Sequence, residues 1–404
     1  MPHIGRACSL PGMTTNMQAT SAAHESGTRP APPPLTIHGL PRAALPAAPP
    51  AFVVRGAMQL RRLLLRCADA LAPADVVVVD RAVALAHSHE LGAVVRVRIA
   101  DLLEDGPQTA ASLAQRAGCN ADALHRTLRS LVSVGVFALD QNGRFSNNRV
   151  SRALTAKRMT RASAMVEYFT SASNTSAWAD FGRTLASGRN AFARVHGMNV
   201  WQWFAAHPDE EQTFADAMLG FTLADAPFVI AQYPFGELER LCDLGGGRGT
   251  LISELVLRFP KLQAALYENS SVLQAARRLF EERGVADRVE CIAGSFFDAV
   301  PPGYDAYLLK HVLHDWDDSH CNRILVNVRR AIPPEGKLLL VEAIVERDDA
   351  THVFAGIDVH MMVACEDGRE RSQHEFERLL AAAGFKLARV CKGPTLAVIE
   401  ALPV

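Results

Sequence analysis

Two short stretches about sixty residues apart hold the residue types fit for chemistry: Asp243-Leu-Gly-Gly-Gly-Arg-Gly249 and Lys310-His-Val-Leu-His-Asp-Trp316. In the first, Gly245, Gly247 and Gly249 at alternate positions let the backbone turn sharply from strand to helix, with no side chain to block a close-lying ligand. The helix start behind such a turn presents free N–H groups and a partial positive charge to a carboxylate or phosphate. Glu268, at the end of the next apolar run, supplies an acceptor that could grip the two hydroxyls of a ribose. The second stretch places a histidine where a base is needed. Together the two point to group transfer.

The elements that must position these residues follow an α/β rhythm from Leu238 onward. A strand runs into Asp243, a helix passes through Leu251, Leu255 and Leu257, and a strand through Ala264 to Tyr267 ends at Glu268. A helix over 272–283, strands over 289–292, 305–309 and 337–342, a helix around 374–383 and two final strands complete a catalytic domain over residues 236–404. The alternation predicts an α/β, Rossmann-like domain with a parallel sheet whose strand ends gather cofactor and catalyst on one side.

Three parts precede it. Residues 1–55 crowd prolines, among them Pro30, Pro32, Pro33, Pro34, Pro46, Pro49 and Pro50, among Ala, Ser and Thr, a composition expected to form a disordered extension outside the fold. Residues 56–150 show helical spacing at Leu60, Leu63 and Leu64 and again from Leu91 to Leu103. Thr109 and Asn120 then cap two short helices, and two strands flank Asn142-Gly143, an order that spells a winged helix. Residues 151–235 read as a helical linker and substrate lid rich in large side chains, most of which pack the interior.

A winged helix raises the question of DNA. Between residues 101 and 150, Arg116, Arg126, Arg129, Arg144 and Arg149 are matched by Asp101, Glu104, Asp105, Asp122 and Asp140. No net positive charge is left to neutralise phosphates, so the unit is expected to be a dimerisation scaffold. The whole chain, with 49% hydrophobic and 21% charged residues and a formal net charge of -1, likewise gives no sign of a nucleic-acid partner. Eight cysteines lie scattered without zinc or redox spacing and read as reduced thiols. Neither a secretory leader nor an apolar run of membrane-spanning length is evident, which makes the cytoplasm the expected location, without a membrane partner.

Two cofactors suit the glycine turn, a nicotinamide dinucleotide and S-adenosylmethionine. The turn reads Asp-x-Gly-x-Gly-x-Gly rather than Gly-x-Gly-x-x-Gly, although Gly246-x-x-Gly249 keeps the dinucleotide open. With Leu309 to Trp316, Leu340-Val-Glu-Ala-Ile344 and Gly368-Arg-Glu-Arg-Ser372 added, residues 60–404 resemble the S-adenosylmethionine-dependent O-methyltransferases of the plant caffeate, hydroxyindole and bacterial natural-product group. The resemblance implies a class I methyltransferase domain behind an N-terminal winged-helix dimerisation domain, a homodimer, and S-adenosyl-L-methionine as cofactor. It implies cofactor contacts from Asp243, Gly245, Gly247, Glu268, Ser295, Phe296 and Lys310. Ser295 departs from the family, where many members carry Asp beside the adenine amino group; a hydroxyl there lacks a carboxylate's charge assistance.

The same resemblance makes His314 the general base, flanked by Glu342 and Glu370, with Asp315 beside it. A neutral imidazole, ordinarily near ~6.5, can take a proton from a phenol near ~10. Trp178, Met218, Asp358, Met361 and Met362 are the expected acceptor contacts, suited to a small aromatic or polyketide-like phenol. No metal is expected, since His and acidic residues form no H-E-x-x-H or comparable cluster in sequence. Two other functions are weighed against methyl transfer. One is cofactor-dependent hydroxylation, decarboxylation or cyclisation on the same scaffold, which the presence of His314 disfavours. The other is a non-catalytic regulator built on the winged helix, which the charge balance disfavours.

Overall fold

The computed structural model describes Leu40 and residues 42–350 and 352–404, all within one compact unit. Helices Ala51–Leu71 and Ala74–Arg96 open at Pro50 and Pro73, whose fixed φ suits a helix start. Thr109 caps helix Ala110–Ala117 by accepting the Ser112 N–H at 3.3 Å, and Asn120 caps helix Ala121–Ser133 by accepting that of Ala123 at 2.9 Å. Each satisfies a donor that the first helical turn leaves open. Strands β1 (Gln108–Thr109), β2 (Phe137–Leu139) and β3 (Arg144–Asn147) form a small antiparallel sheet in the order β1-β3-β2. Ile99, Leu113, Leu128 and Phe145 lie fully buried in the core of this unit.

Six helices follow, from Ala162–Phe169 to Pro208–Gln232. The last is long and apolar enough to cross a membrane by length and composition, which corrects the reading that no such run exists. Half of its apolar window is buried inside the protein, and it carries the buried carboxylates Asp216 and Asp225. Buried charges with partners mark a core helix.

The large sheet comprises β4 (Arg240–Leu244), β5 (Gln263–Glu268), β6 (Val289–Ala293), β7 (Ala306–Lys310), β8 (Lys337–Glu342), β9 (Phe385–Lys392) and β10 (Ala397–Pro403). Their order is β6-β5-β4-β7-β8-β10-β9. The central strands are near-continuous apolar runs because helices cover both faces. From β6 to β8 all pairings are parallel, whereas β10 runs antiparallel to both β8 and β9. The sheet is therefore mixed rather than wholly parallel: residues 393–396 are too short a connection for anything but an antiparallel return. Strand order reverses at β4, with β5 and β6 on one side and β7 and β8 on the other. Such a reversal opens a crevice at the carboxyl ends of the strands. Asp243, Glu268, Lys310 and Glu342 all stand at or beside those ends.

The expected disorder of residues 1–39 lies outside the described residues, but the end of that segment needs correction. Leu45 is buried in the hydrophobic core against one face of the large sheet. Its N–H donates to Glu254 Oε2 at 2.9 Å, and its carbonyl accepts from Arg258 at 3.2 Å. Arg283, paired with Glu254 at 2.6 Å with both side chains fully buried, also donates to the Ala43 carbonyl at 3.3 Å. The attachment uses backbone groups and one leucine, which a proline-rich composition does not forbid. Glu254→Ala would leave the Arg283 guanidinium buried without its carboxylate, and a loss of about 3–5 kcal/mol is expected. Urea unfolding of wild type and variant measures it; a loss below about 1 kcal/mol, the size of a surface pair, would contradict the assignment.

Candidate active site

Gly245, Gly247 and Gly249 have φ values of 72°, 57° and 74°, in the left-handed region that a Cβ disfavours. A Cβ at Gly245 would also stand 3.1 Å from the Phe296 ring and 3.2 Å from Val312. Behind the turn, Asp243 is buried and its Oδ1 has no hydrogen-bond partner. Burial, then the nearby charge of Glu268, push its carboxyl up to about 7, against the opposing pull of Lys310. Glu268 accepts the N–H of Gly247 at 3.1 Å and of Asn269 at 2.7 Å. Lys310, whose Nζ lies 3.4 Å from Thr222 Oγ1, has its pKa lowered by burial, partly offset by Asp225, Glu342 and Asp243. Ser295 closes its own loop, its hydroxyl accepting the Phe297 N–H at 3.2 Å.

The buried Asp243, with its orphan oxygen, and the half-buried Glu268 at this turn suit a ligand that offers hydroxyl or ammonium donors and carries positive charge. They oppose the diphosphate of a dinucleotide. The residues thus fit S-adenosylmethionine: Asp243 and Glu268 as acceptors, the glycines for close approach, and the Phe296 ring as a flat wall.

His314 occupies a single 3-10 turn, Leu313–Asp315, just after β7. Its Nδ1 lies 3.0 Å from Glu370 Oε1 and 4.0 Å from Glu342 Oε2, and its Nε2 lies 3.5 Å from Asp315 Oδ1. Glu342 Oε1 accepts the N–H groups of Val312 at 3.1 Å and Leu313 at 2.9 Å, which ties the turn to the end of β8. Burial works against a charged imidazole here, but Glu370, Asp315 and Glu342 outweigh it and raise the His314 pKa to about 10. The expectation of an imidazole near its ordinary value is therefore corrected in direction: the neighbouring carboxylates favour the protonated ring. Burial also pushes Glu342 up to about 7, with His314 opposing.

The sequence holds no local His–acid metal motif, but the fold brings three such groups together. One atom each from His314, Glu342 and Glu370 lies within 4.8 Å of the others, although 56 positions separate His314 from Glu370. Arg371, missed in the sequence as anything more than part of a motif, fastens the turn. It is fully buried and donates to the carbonyls of Leu313 at 2.6 Å and Trp316 at 2.7 Å and to Asp318 at 2.8 Å. The Arg369 N–H donates to the His314 carbonyl at 2.8 Å, and a Cβ at Gly368 would stand 2.9 Å from that same oxygen. His311, at φ 53°, packs its ring 5.0 Å from that of His314.

The expected acceptor residues separate. Met218 packs at an aromatic cluster with Tyr168, Phe169 and Phe214, whereas Trp178 is exposed and its ring meets those of Phe181 and His360. Met361 belongs to the buried core of that cluster, so it packs rather than lines. Met362, one helical step on, faces a shallow cleft with Gly188, Asp318 and Arg369. Asp358 accepts the Glu370 N–H at 2.8 Å and so holds the partner of His314 in place. His360 was overlooked, although a polar residue inside Ile357-Asp-Val-His-Met-Met362 was the available signal. It is buried, and burial, then His314, lower its pKa to about 4. The Trp178 indole N–H donates to its Nδ1 at 3.3 Å, so Nε2 carries the hydrogen and donates to the Tyr168 hydroxyl at 3.1 Å.

Residues 178–386 match the family model of the O-methyltransferase domain, and residues 81–157 that of the O-methyltransferase dimerisation domain. The chain is 34% identical to the phenazine O-methyltransferase PhzM of Lysobacter antibioticus, over 76% of this chain and 90% of that protein. It is 34% identical to the mitomycin biosynthesis 6-O-methyltransferase of Streptomyces lavendulae, over 73% of this chain and 84% of that protein. It also resembles the crystal structure of NcsB1, an O-methyltransferase from neocarzinostatin biosynthesis in complex with S-adenosylmethionine and 2-hydroxy-5-methyl naphthoic acid. That likeness has a TM-score of 0.70 and 27% identity, covering 78% of this chain and 96% of that one.

The raised pKa of His314 has a signed consequence. Its ring pairs with carboxylates only in the folded state, so its contribution to stability is fully present below the unfolded value near ~6.5 and is lost as pH rises through about 10. In the ligand-free protein its imidazole NMR signals should still report the protonated ring at pH 8, a pH chosen between those two values, and Glu370→Gln should shift the titration to lower pH. A wild-type midpoint near ~6.5 would refute the carboxylate-held proton.

Proposed function

On the premise that this chain belongs to the O-methyltransferase family and is an S-adenosylmethionine-dependent O-methyltransferase of the natural-product type, we propose that its acceptor is a phenolic hydroxyl and its general base His314. The observation that carries this reading is the ring of carboxylates about one buried imidazole. Carboxylate neighbours raise the pKa of His314 to about 10, close to that of a phenol near ~10, so a ring that has first released its own proton to solvent takes the phenol's proton at little net energy. An aliphatic alcohol holds its proton far more tightly and gains no such match.

S-adenosylmethionine supplies an electrophilic methyl group on a sulfonium. What the chain's own residues add is an oxygen nucleophile held in line and relieved of its proton. Glu370 accepts from Nδ1 and turns Nε2 toward the acceptor hydroxyl, as the orienting partner of a base does. Glu342 holds the backbone of the turn and, with Asp315 and Glu370, stabilises the imidazolium as the proton arrives. Asp243, Gly245, Gly247, Glu268, Ser295, Phe296 and Lys310 line the cofactor side. Trp178, Met218 and the aromatic residues beside Tyr168 are the side chains we assign to the acceptor side, apolar enough for fused aromatic compounds such as the phenazine and naphthoic acid named for the relatives.

We place the homodimer contact on the N-terminal domain, where Leu60, Leu63, Leu64, Val78 and Leu85 are exposed apolar side chains on the first two helices. Sedimentation is expected to give a dimer, and Leu63→Glu with Leu64→Glu a monomer; an unaltered dimer would move the contact elsewhere.

Incubation with S-adenosylmethionine and a panel of phenols, including hydroxyphenazines and hydroxynaphthoic acids, should yield S-adenosylhomocysteine. His314→Ala is expected to lower kcat by about 10²–10⁴ while calorimetry still records S-adenosylhomocysteine binding. Full turnover in that variant would remove His314 from the mechanism.

A further inference from the structure

Arg248 stands inside the glycine turn, between Gly247 and Gly249, and reaches helix Pro208–Gln232. It is buried, and its Nη1 donates to Asp216 Oδ1 at 2.7 Å. Asp216, also buried, sits on helix Pro208–Gln232 and accepts from Gln212 at 3.0 Å through its second oxygen. Arg161, which opens helix Ala162–Phe169 at φ 45°, lies 4.0 Å from the same Oδ1. Near the pair, a Cβ at Gly220 would stand 2.7 Å from the Thr160 carbonyl, so this helix and that turn meet backbone to backbone.

Two residues from Asp216 along the helix stands Met218, and beyond it Phe221, whose ring lies 6.3 Å from that of Phe169, and Thr222, which meets Lys310. With 100° between successive residues, the face that carries Asp216 and Gly220 is roughly opposite the one that carries Phe214, Met218, Phe221 and Thr222. One face is thus bolted to the cofactor turn and the other is turned to the aromatic cluster.

We propose that Arg248 and Asp216 are a positioning pair through which an occupied glycine turn sets the place of helix Pro208–Gln232, so that cofactor binding orders the acceptor wall. This rests on the reading that the cofactor binds at the turn and the acceptor at the aromatic cluster. A buried charge pair transmits position well, because neither partner can relax into water when the other moves. The coupling is reciprocal: whatever the cofactor gives to acceptor binding, the acceptor returns to cofactor binding.

Hydrogen–deuterium exchange with and without saturating S-adenosylhomocysteine tests it in the full chain. In wild type the ligand should slow exchange about tenfold both in residues 243–249 and in helix Pro208–Gln232. In Asp216→Asn, and in Arg248→Lys should the first fail to fold, protection should remain at the turn and vanish from the helix. A pair with a merely structural role would raise exchange equally with and without ligand. Ligand-dependent protection of the helix in both variants, or its absence from the wild-type helix when the turn is protected, overturns the proposal alone. No protection anywhere in wild type overturns the cofactor reading and the proposal with it.

Discussion

One buried imidazole set among three carboxylates is the interaction around which this end of the sheet is arranged. Like charges gathered out of water repel, and each loses hydration. The cluster persists because its members are answered from several directions. Val312 and Leu313 donate to Glu342, the Glu370 N–H donates to Asp358, and Arg371 spreads its donors over two carbonyls and Asp318. The turn that carries His314 is held from β8 on one side and from residues 368–371 on the other, which leaves little freedom to the ring.

The sheet decides where that cluster can be. Reversal of strand order at β4 brings the carboxyl ends of β4, β5, β7 and β8 to one rim, each contributing a charged residue. Asp243, the glycine turn and Glu268 gather at β4 and β5, and His314 and Glu342 at β7 and β8. Helix Pro208–Gln232 then crosses near both, touching the glycine turn through Asp216 and Lys310 through Thr222.

Much of this was legible in the chain because local signals agreed with the final packing. Strands β5, β7 and β8 are apolar runs ending in charge, and the caps at Thr109 and Asn120 are short-range events. The glycines announced a left-handed turn, and resemblance drew attention to His314, Glu342 and Glu370. What escaped depended on distance or on a single helical step. Arg371 in Gly-Arg-Glu-Arg-Ser carries no local sign of its burial, yet it is fully buried. Met361 and Met362 differ by one position and face different surroundings. Leu45 looked like part of an unstructured tract because its contacts are mostly backbone. The strong basicity of His314 arises from residues up to 56 positions away and has no local mark.

The placement of β10 between β8 and β9 has an effect on assembly. Strand β9 comes earlier in the chain but touches the sheet only by way of β10, so it cannot dock by itself. Until the two arrive as a hairpin, β8 presents a bare edge of unpaired amide and carbonyl groups along Leu338, Leu339, Leu340 and Val341. Such an edge is a template for strands of other molecules. The interval before the hairpin docks is thus when this protein is most prone to aggregate, even though the finished sheet shows no trace of that hazard on its β8 side.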